Sequence, residues 1–180
     1  MNDTNNLLLK SAMSYGLALG IYWAVKYVFF VLSFSFPSFN IVYWLLTLAV
    51  PAIAWFLTKK YRDTELEGKI SFYHAWRFGT MLYFFAAVII ALVHFVFYQY
   101  IAPQDFIAQS FSQVIDVLKD SQVDTSILES FKTLNVPSPI HMAIQGIFNN
   151  IFYGILLSIP VAALVHTKSD KGIQSTEESK

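Results

Sequence analysis

The 180-residue chain contains no cysteine, and charged residues make up only 13% of it. Disulfides, thiolate metal ligands and thiol nucleophiles are therefore excluded, and cysteine usage gives no information on redox compartment. The formal net charge is zero, and the basic residues are spread over several loops. A neutral chain of this kind offers no continuous basic surface, so nucleic acid is not an expected partner.

Sequence signatures of catalysis are also missing. The chain has no nucleophile elbow and no glycine-rich phosphate loop, and no two of its four histidines share a predicted helix at the spacing of metal ligands. The predicted spans contain no Asp or Glu, so they lack the carboxylate relay of proton-coupled carriers. The sequence therefore predicts no catalytic, metal-binding or cofactor-binding residues and no cofactor, and it disfavours an enzyme.

Hydrophobic residues, in contrast, make up 56% of the chain and aromatic residues 17%, which is typical of an integral membrane protein. Crossing a bilayer takes about 17 to 25 apolar residues in a helix. Four apolar runs suit this length, at about 11–36, 41–57, 78–100 and 140–165. The first run is too long for the apolar region of a cleaved signal peptide, which has about 7 to 15 residues. Pro51 lies inside the second run and should kink that helix.

The segment 102–139, between the third and fourth runs, is amphipathic. Apolar residues recur in it at helical spacing, namely Ile107, Phe111, Val114, Ile115 and Leu118. Ser126 and Glu129 form a capping box that predicts a second short helix in the same segment. The residues after His166 are polar, and we expect 167–180 to be a disordered cytoplasmic tail.

Charge asymmetry predicts the orientation. The stretch between the second and third runs carries five of the twelve Lys and Arg residues, namely Lys59, Lys60, Arg62, Lys69 and Arg77. Cytoplasmic loops carry the excess of Lys and Arg, so this linker and both termini are expected in the cytoplasm. The predicted fold is all-α: residues 1–166 form one four-helix transmembrane bundle, with an extracytoplasmic amphipathic helical pair between spans three and four.

Small residues repeat every four positions on two of the predicted spans. Span one carries Ala12, Gly16, Gly20 and Ala24, and span four carries Gly146, Asn150, Gly154, Ser158 and Ala162. Such stripes allow close helix approach inside a membrane. We predict that spans one and four pack against each other through them, with homo-oligomerisation as the alternative.

Lys26 is the only formally charged residue well inside a predicted span. One interpretation is that it snorkels to the outer headgroups, with its stem resting on Tyr22. The other is functional, because an intramembrane charge is costly to bury. In that case polar residues at a similar depth would form one outward-facing pocket, whose candidates are Lys26, His94, Gln145, Asn149 and Asn150.

The sequence resembles a known family at its third span. Residues 68–79 read GKISFYHAWRFG and lead into a span that closes at Tyr100-Ile101-Ala102-Pro103, before an amphipathic segment and a last span. This arrangement resembles a family of uncharacterised bacterial four-span membrane proteins, defined only as a domain of unknown function. The resemblance implies a bacterial cytoplasmic (inner) membrane and brings no activity, cofactor or site residue.

Three functions are compatible with these features. The favoured one is a small interaction or accessory protein that acts by contact, with the lipid bilayer and a second copy or another membrane protein as partners. The alternative is a small transporter or oligomeric channel that uses the outward-facing polar pocket. The third is an enzyme acting on lipid, for which His141 or Asp105 would have to supply an acid or base.

Overall fold

The fold is known from a computed structural model that describes residues 2–103, 105–120 and 136–167. Regular secondary structure in these residues is entirely helical: α1 (Asn2–Ser33), α2 (Ser38–Glu65), α3 (Phe72–Val96), α4 (Phe106–Asp120) and α5 (Pro139–Val165). A π-helical turn, Phe97–Ile101, extends α3. Within the described ranges, α1, α2, α3 with its π-helical turn, and α5 are the four helices long and apolar enough to cross a membrane. The predicted all-α, four-span fold is confirmed.

Several helices extend beyond the apolar runs that predicted them. α2 continues through Lys59 and Lys60 to Glu65, so much of the basic linker is helical. The true turn is short, and at its centre Glu67 and Gly68 both have positive φ angles, of 52° and 79°. α4 is the first of the two predicted amphipathic helices. The second, around Ser126, and the predicted tail beyond Thr167 lie outside the described residues.

The helix α3 is the centre of the bundle. It packs against α1 on one side and α5 on the other, and α2 lies across the bundle against α1 and α5. The prediction that spans one and four pack against each other is therefore wrong, because each presents its small residues to α3. A Cβ atom added at Gly16 would lie 2.6 Å from the Phe85 Cβ, and one added at Gly154 would overlap the Tyr83 side chain.

One end of the bundle, which we call the linker end, is fixed by specific polar contacts. The Tyr61 hydroxyl hydrogen-bonds His74 Nε2 at 2.9 Å, and the Tyr61 ring stacks on Phe78 with centroids 4.0 Å apart. The Arg62 side chain donates to the carbonyl of Val165, the last residue of α5, at 3.0 Å. These contacts join α2, α3 and α5 at the linker end.

The opposite end, which we call the turn end, is more open. Every buried residue of α2 lies at or beyond Val50, so its first half contributes nothing to the core. That half leans on α1 instead, and the Tyr22 hydroxyl donates to the Leu46 carbonyl at 2.7 Å. The change from the unburied first half of α2 to its partly buried second half occurs next to Pro51. This residue lacks the N–H that would bond the Thr47 carbonyl. α2 therefore packs into the bundle only at the linker end.

Candidate functional site

A cavity of about 260 Å³ lies inside the bundle, toward its turn end. All four long helices contribute to its walls, which we call the Lys26 cavity: Trp23, Lys26, Tyr27, Phe30, Tyr43, Ile90, His94, Tyr98 and Asn150. The α1 residues follow steps of three and four positions, and the α3 residues follow steps of four. One face of each helix is therefore directed to the same space.

Lys26 is half-buried in this cavity. Its Nζ lies 5.1 Å from the centroid of the Tyr43 ring, across the gap between α1 and α2. The ring contact of Lys26 is therefore with Tyr43 and not with Tyr22 as predicted. Lys26 makes no hydrogen bond or ion pair with any described residue. It is a cation in the bundle interior whose partner is only an aromatic ring.

Three polar groups near Lys26 are buried without hydrogen-bond partners among the described residues. They are the Nε1 of Trp23 and the hydroxyls of Tyr27 and Tyr83. The exposed fractions of these side chains are 6%, 8% and 1%. The Tyr27 hydroxyl has the Tyr98 hydroxyl as a neighbour, although the pair does not meet the geometry of a regular hydrogen bond. An indole N–H only donates and a phenol donates readily, so the residues that line the two cavities with Lys26 include buried donors that lack a regular hydrogen bond.

The structure brings together three of the five predicted pocket residues. Lys26, His94 and Asn150 line the Lys26 cavity. Gln145 and Asn149 do not: both are exposed, and the Gln145 amide donates to Asn149 Oδ1 at 3.2 Å. Asn150 does not bond across a helix contact as its place in the stripe suggested, because its amide donates to the Gly146 carbonyl on its own helix at 2.8 Å.

A second cavity, of about 190 Å³, adjoins the first on the side of the linker end. We call it the cleft cavity, because its walls come mainly from α2 and α5: Thr47, Val50 and Pro51 face Tyr153 and Leu157, with Tyr83 behind them. Trp23, Lys26 and Asn150 line both cavities. Lys26 therefore lies at the junction of a polar chamber and a mainly apolar one.

Comparison with known proteins gives one match. Residues 14–167 match the family described as "Protein of unknown function (DUF4199)", which covers most of the chain and all of the cavity residues. The chain belongs to the DUF4199 family. It matches no curated protein and no solved structure at a significant level.

In this DUF4199 chain the predicted packing residues differ in their burial and in how closely they approach α3. Gly16, Gly20 and Gly154 lie so close to α3 that an added Cβ would collide with it, whereas an added Cβ at Gly146 would meet only His94 Nδ1, at 3.5 Å. Ala12 and Ser158 are buried, and Ala24 is half-buried against the core. Gly79 was not predicted, yet its missing side chain accommodates the Ser158 hydroxyl. A lone glycine in an apolar run gives no sequence signal for such a crossing.

Other chemistry in the described part of the DUF4199 chain is sparse. No group of three His, Asp or Glu residues is placed there to hold a metal ion. His141, a candidate acid or base, is exposed and hydrogen-bonds the Ser138 hydroxyl at 2.9 Å, which is a local contact at the start of α5. An apolar groove of about 400 Å³ runs between α1 and α3, and it shares Tyr27 with the Lys26 cavity.

Proposed function

We propose that this protein binds an anionic group in the Lys26 cavity, within the membrane. The single observation that carries the proposal is the coincidence of an unpaired lysine with buried, unpaired donors in one cavity. Among the described residues, neither Asp nor Glu lines this cavity or the cleft cavity next to it. A carboxylate or phosphate oxygen would supply the acceptor that Lys26, Trp23 and Tyr27 all lack.

The energetic argument supports an anion over a neutral ligand. A cation held in a low-dielectric interior without a counter-ion destabilises the fold, and an unsatisfied buried donor costs about 1 to 3 kcal/mol. Lys26, Trp23 and Tyr27 place both kinds of cost at one site. Such costs persist in proteins chiefly at functional sites, where a ligand offsets them. An anion would satisfy the charge and the donors together.

The proposal includes a location and an orientation. The four long apolar helices support contact with the lipid bilayer. The excess of Lys and Arg at the linker end supports a cytoplasmic position for that end and for both termini, in the cytoplasmic membrane of a bacterium. In that orientation the turn end is extracytoplasmic, and the Lys26 cavity lies in the outer half of the membrane.

The test uses two small ligands that share acceptor oxygens and differ in charge. Methyl phosphate is anionic, and trimethyl phosphate is neutral. Binding to the purified full chain in lipid nanodiscs is followed by the fluorescence of Trp23, in a variant whose other three tryptophans (Trp44, Trp55 and Trp76) are changed to Phe. We expect methyl phosphate to change the emission in a saturable way and trimethyl phosphate to leave it unchanged.

Two lysine variants make this test specific. Lys26→Leu should weaken methyl phosphate binding roughly 10- to 100-fold, because a hydrogen bond to a charged group contributes about 1.5 to 3 kcal/mol. Lys59→Leu is the matched control, since Lys59 lies over Trp55 on the outside of α2 and should leave binding unchanged. Equal binding in wild type and Lys26→Leu, or equal binding of both ligands, would refute the proposal.

Transport is the second candidate function, and one observation favours it. The two cavities share Trp23, Lys26 and Asn150, so an anion held at the first has a neighbouring chamber deeper in the membrane. The interaction or accessory function stays a prediction. The exposed apolar faces of α2 and α5 suit a protein partner, and they equally suit lipid.

A further inference from the structure

We infer that the anion is the headgroup of a membrane lipid, which enters sideways from the bilayer through the cleft between α2 and α5. This inference rests on the proposed function and adds the class of ligand and its route. The bound lipid places its anionic group in the Lys26 cavity. Its acyl chain begins in the cleft cavity and continues into the surrounding bilayer.

The first support is the way α2 packs. Before Val50 none of its residues is buried, whereas Val50, Ala54, Leu57, Thr58 and Tyr61 are. The contacts of its first half are to α1, through Leu46 and through Tyr43, whose ring lies 5.4 Å from that of Phe30. The half of α2 nearest the turn end therefore leans toward α1, and the cleft cavity occupies the space left beside α5.

The second support is the surface around this cleft. Tyr153 on α5 is 59% exposed, and α5 is one of the helices long and apolar enough to span a membrane. Its side chain would contact lipid when the chain is in a bilayer. Tyr153 also lines the cleft cavity, so one side chain reaches from the cavity wall to the lipid surface. The cleft cavity is therefore bordered by lipid at Tyr153, which is where a molecule of the bilayer would enter.

The third support is the order of the two cavities along the membrane normal. The polar Lys26 cavity is nearer the turn end, and the mainly apolar cleft cavity is nearer the middle of the helices. A lipid of the leaflet at the turn end has the same order, with its headgroup toward that surface and its chains toward the midplane. It would bind without inverting, by moving its headgroup sideways and inward to Lys26.

The larger apolar groove between α1 and α3 is a poorer binding site for the acyl chain of the lipid. It shares Tyr27 with the Lys26 cavity, and the Tyr27 ring packs against His94 and Phe97, with centroids 4.4 and 5.4 Å away. An acyl chain in that groove would have to pass this ring to join a headgroup at Lys26. The groove is instead a matched internal control, because it is also apolar, faces lipid and is lined by α1 and α3 alone.

Photolabelling tests the inference. The full chain in nanodiscs is exposed to phosphatidic acid with a photoreactive diazirine on one acyl chain, and labelled peptides are identified by mass spectrometry. A fatty carboxylate with the same diazirine distinguishes a carboxylate from a phosphate headgroup. We expect at least one of the two probes to label α2 around Thr47 to Pro51 and α5 around Tyr153 to Leu157. Labelling there should exceed that of the α1–α3 groove, and Lys26→Leu should reduce it at least roughly tenfold, as expected for a lost charged hydrogen bond.

Two variants of similar chemistry complete the experiment. Leu157→Trp fills the cleft cavity and should abolish labelling there, whereas Leu92→Trp fills the α1–α3 groove and should leave cleft labelling intact. Circular dichroism and gel filtration of each variant show that it is folded; if Leu157→Trp fails this check, Tyr153→Trp replaces it. Labelling confined to the α1–α3 groove, or unaffected by Lys26→Leu, would overturn the lipid inference. If methyl phosphate binding still depended on Lys26, the proposed anion site would stand without the lipid inference. If neither the cleft labelling nor the Lys26-dependent binding of methyl phosphate were observed, the lipid inference and the proposed anion site would both be overturned.

Discussion

At the scale of single residues, Lys26 is a half-buried cation without a counter-ion among the described residues. A flexible lysine whose ammonium group contacts the Tyr43 ring without an ion pair stabilises the fold little, and its partial burial costs free energy. The same residue is the natural centre of an anion site. Stability and function should therefore respond to Lys26 in opposite directions.

The first prediction follows from that opposition. In ligand-free detergent, Lys26→Leu should raise the free energy of unfolding by about 1 kcal/mol, because it removes an uncompensated charge. A double-mutant cycle with Tyr43→Leu should show a coupling of roughly 0.5 to 1 kcal/mol, the usual strength of a cation–π contact. A cycle with Asn149→Leu should be additive, because Asn149 bonds Gln145 outside the cavity. Unfolding titrations in SDS provide the measurement, and a destabilised Lys26→Leu protein would show that the lysine has a partner within the bundle.

The second prediction concerns the glycines at the crossings with α3. Gly154→Ala should destabilise the fold by about 1 to 3 kcal/mol, because its new methyl group would overlap the Tyr83 side chain. Gly146→Ala on the same helix is the control and should be nearly neutral, since its methyl group would make an ordinary contact with His94. Equal melting temperatures for the two variants would show that α5 does not approach α3 as closely as described.

At the scale of helices, Pro51 lies in α2 beside the cleft, next to the first buried residue of that helix, Val50. The third prediction is that Pro51→Ala lets α2 continue straight toward α5, narrows the cleft and reduces photolabelling by the lipid probe severalfold. It should also raise the unfolding free energy by about 1 kcal/mol, because the backbone regains one hydrogen bond. Pro160→Ala is the matched control: Pro160 lies inside α5 and lines neither cavity, so labelling should persist. Undiminished labelling in Pro51→Ala would show that lipid entry does not depend on Pro51.

The helices themselves could be predicted from sequence, and their rotations could not. Long apolar runs determine which segments span a membrane, because backbone groups in lipid must bond within the segment. Neighbouring positions on a helix, however, point about 100° apart. Asn150 therefore lines the cavity while Asn149, one residue earlier, is exposed. Nothing in the sequence alone fixes that rotation.

The sequence likewise could not predict which helix packs against each small-residue stripe. A stripe shows that some helix comes close, and the identity of that helix depends on the order of helices around the bundle. Gly79 and Tyr83 on α3 receive the α5 stripe, and both lie in an apolar run with no distinguishing pattern. Tyr27 and Tyr83 likewise have no sequence feature that distinguishes them from other aromatic residues of a membrane span, although their hydroxyls are buried without partners among the described residues.

At the scale of the whole molecule, orientation decides which leaflet supplies the lipid. The fourth prediction uses the absence of cysteine, which makes single-cysteine variants simple to build. Lys60→Cys, at the linker end, should resist an impermeant thiol reagent in intact cells, and Ser38→Cys, at the turn end, should react with it. Labelling of Lys60→Cys would invert the orientation and assign the lipid to the inner leaflet, with the cavity itself unchanged.

The most direct test of the Lys26 anion site is native mass spectrometry of the protein released from its own membranes. Wild type and Lys59→Leu should each retain one anionic amphiphile per chain. Lys26→Leu should remain folded and release this molecule, so that its measured mass is that of the protein alone. Retention of the same molecule at the same ratio by Lys26→Leu would contradict the account, since it would show that the anion is held elsewhere on the bundle.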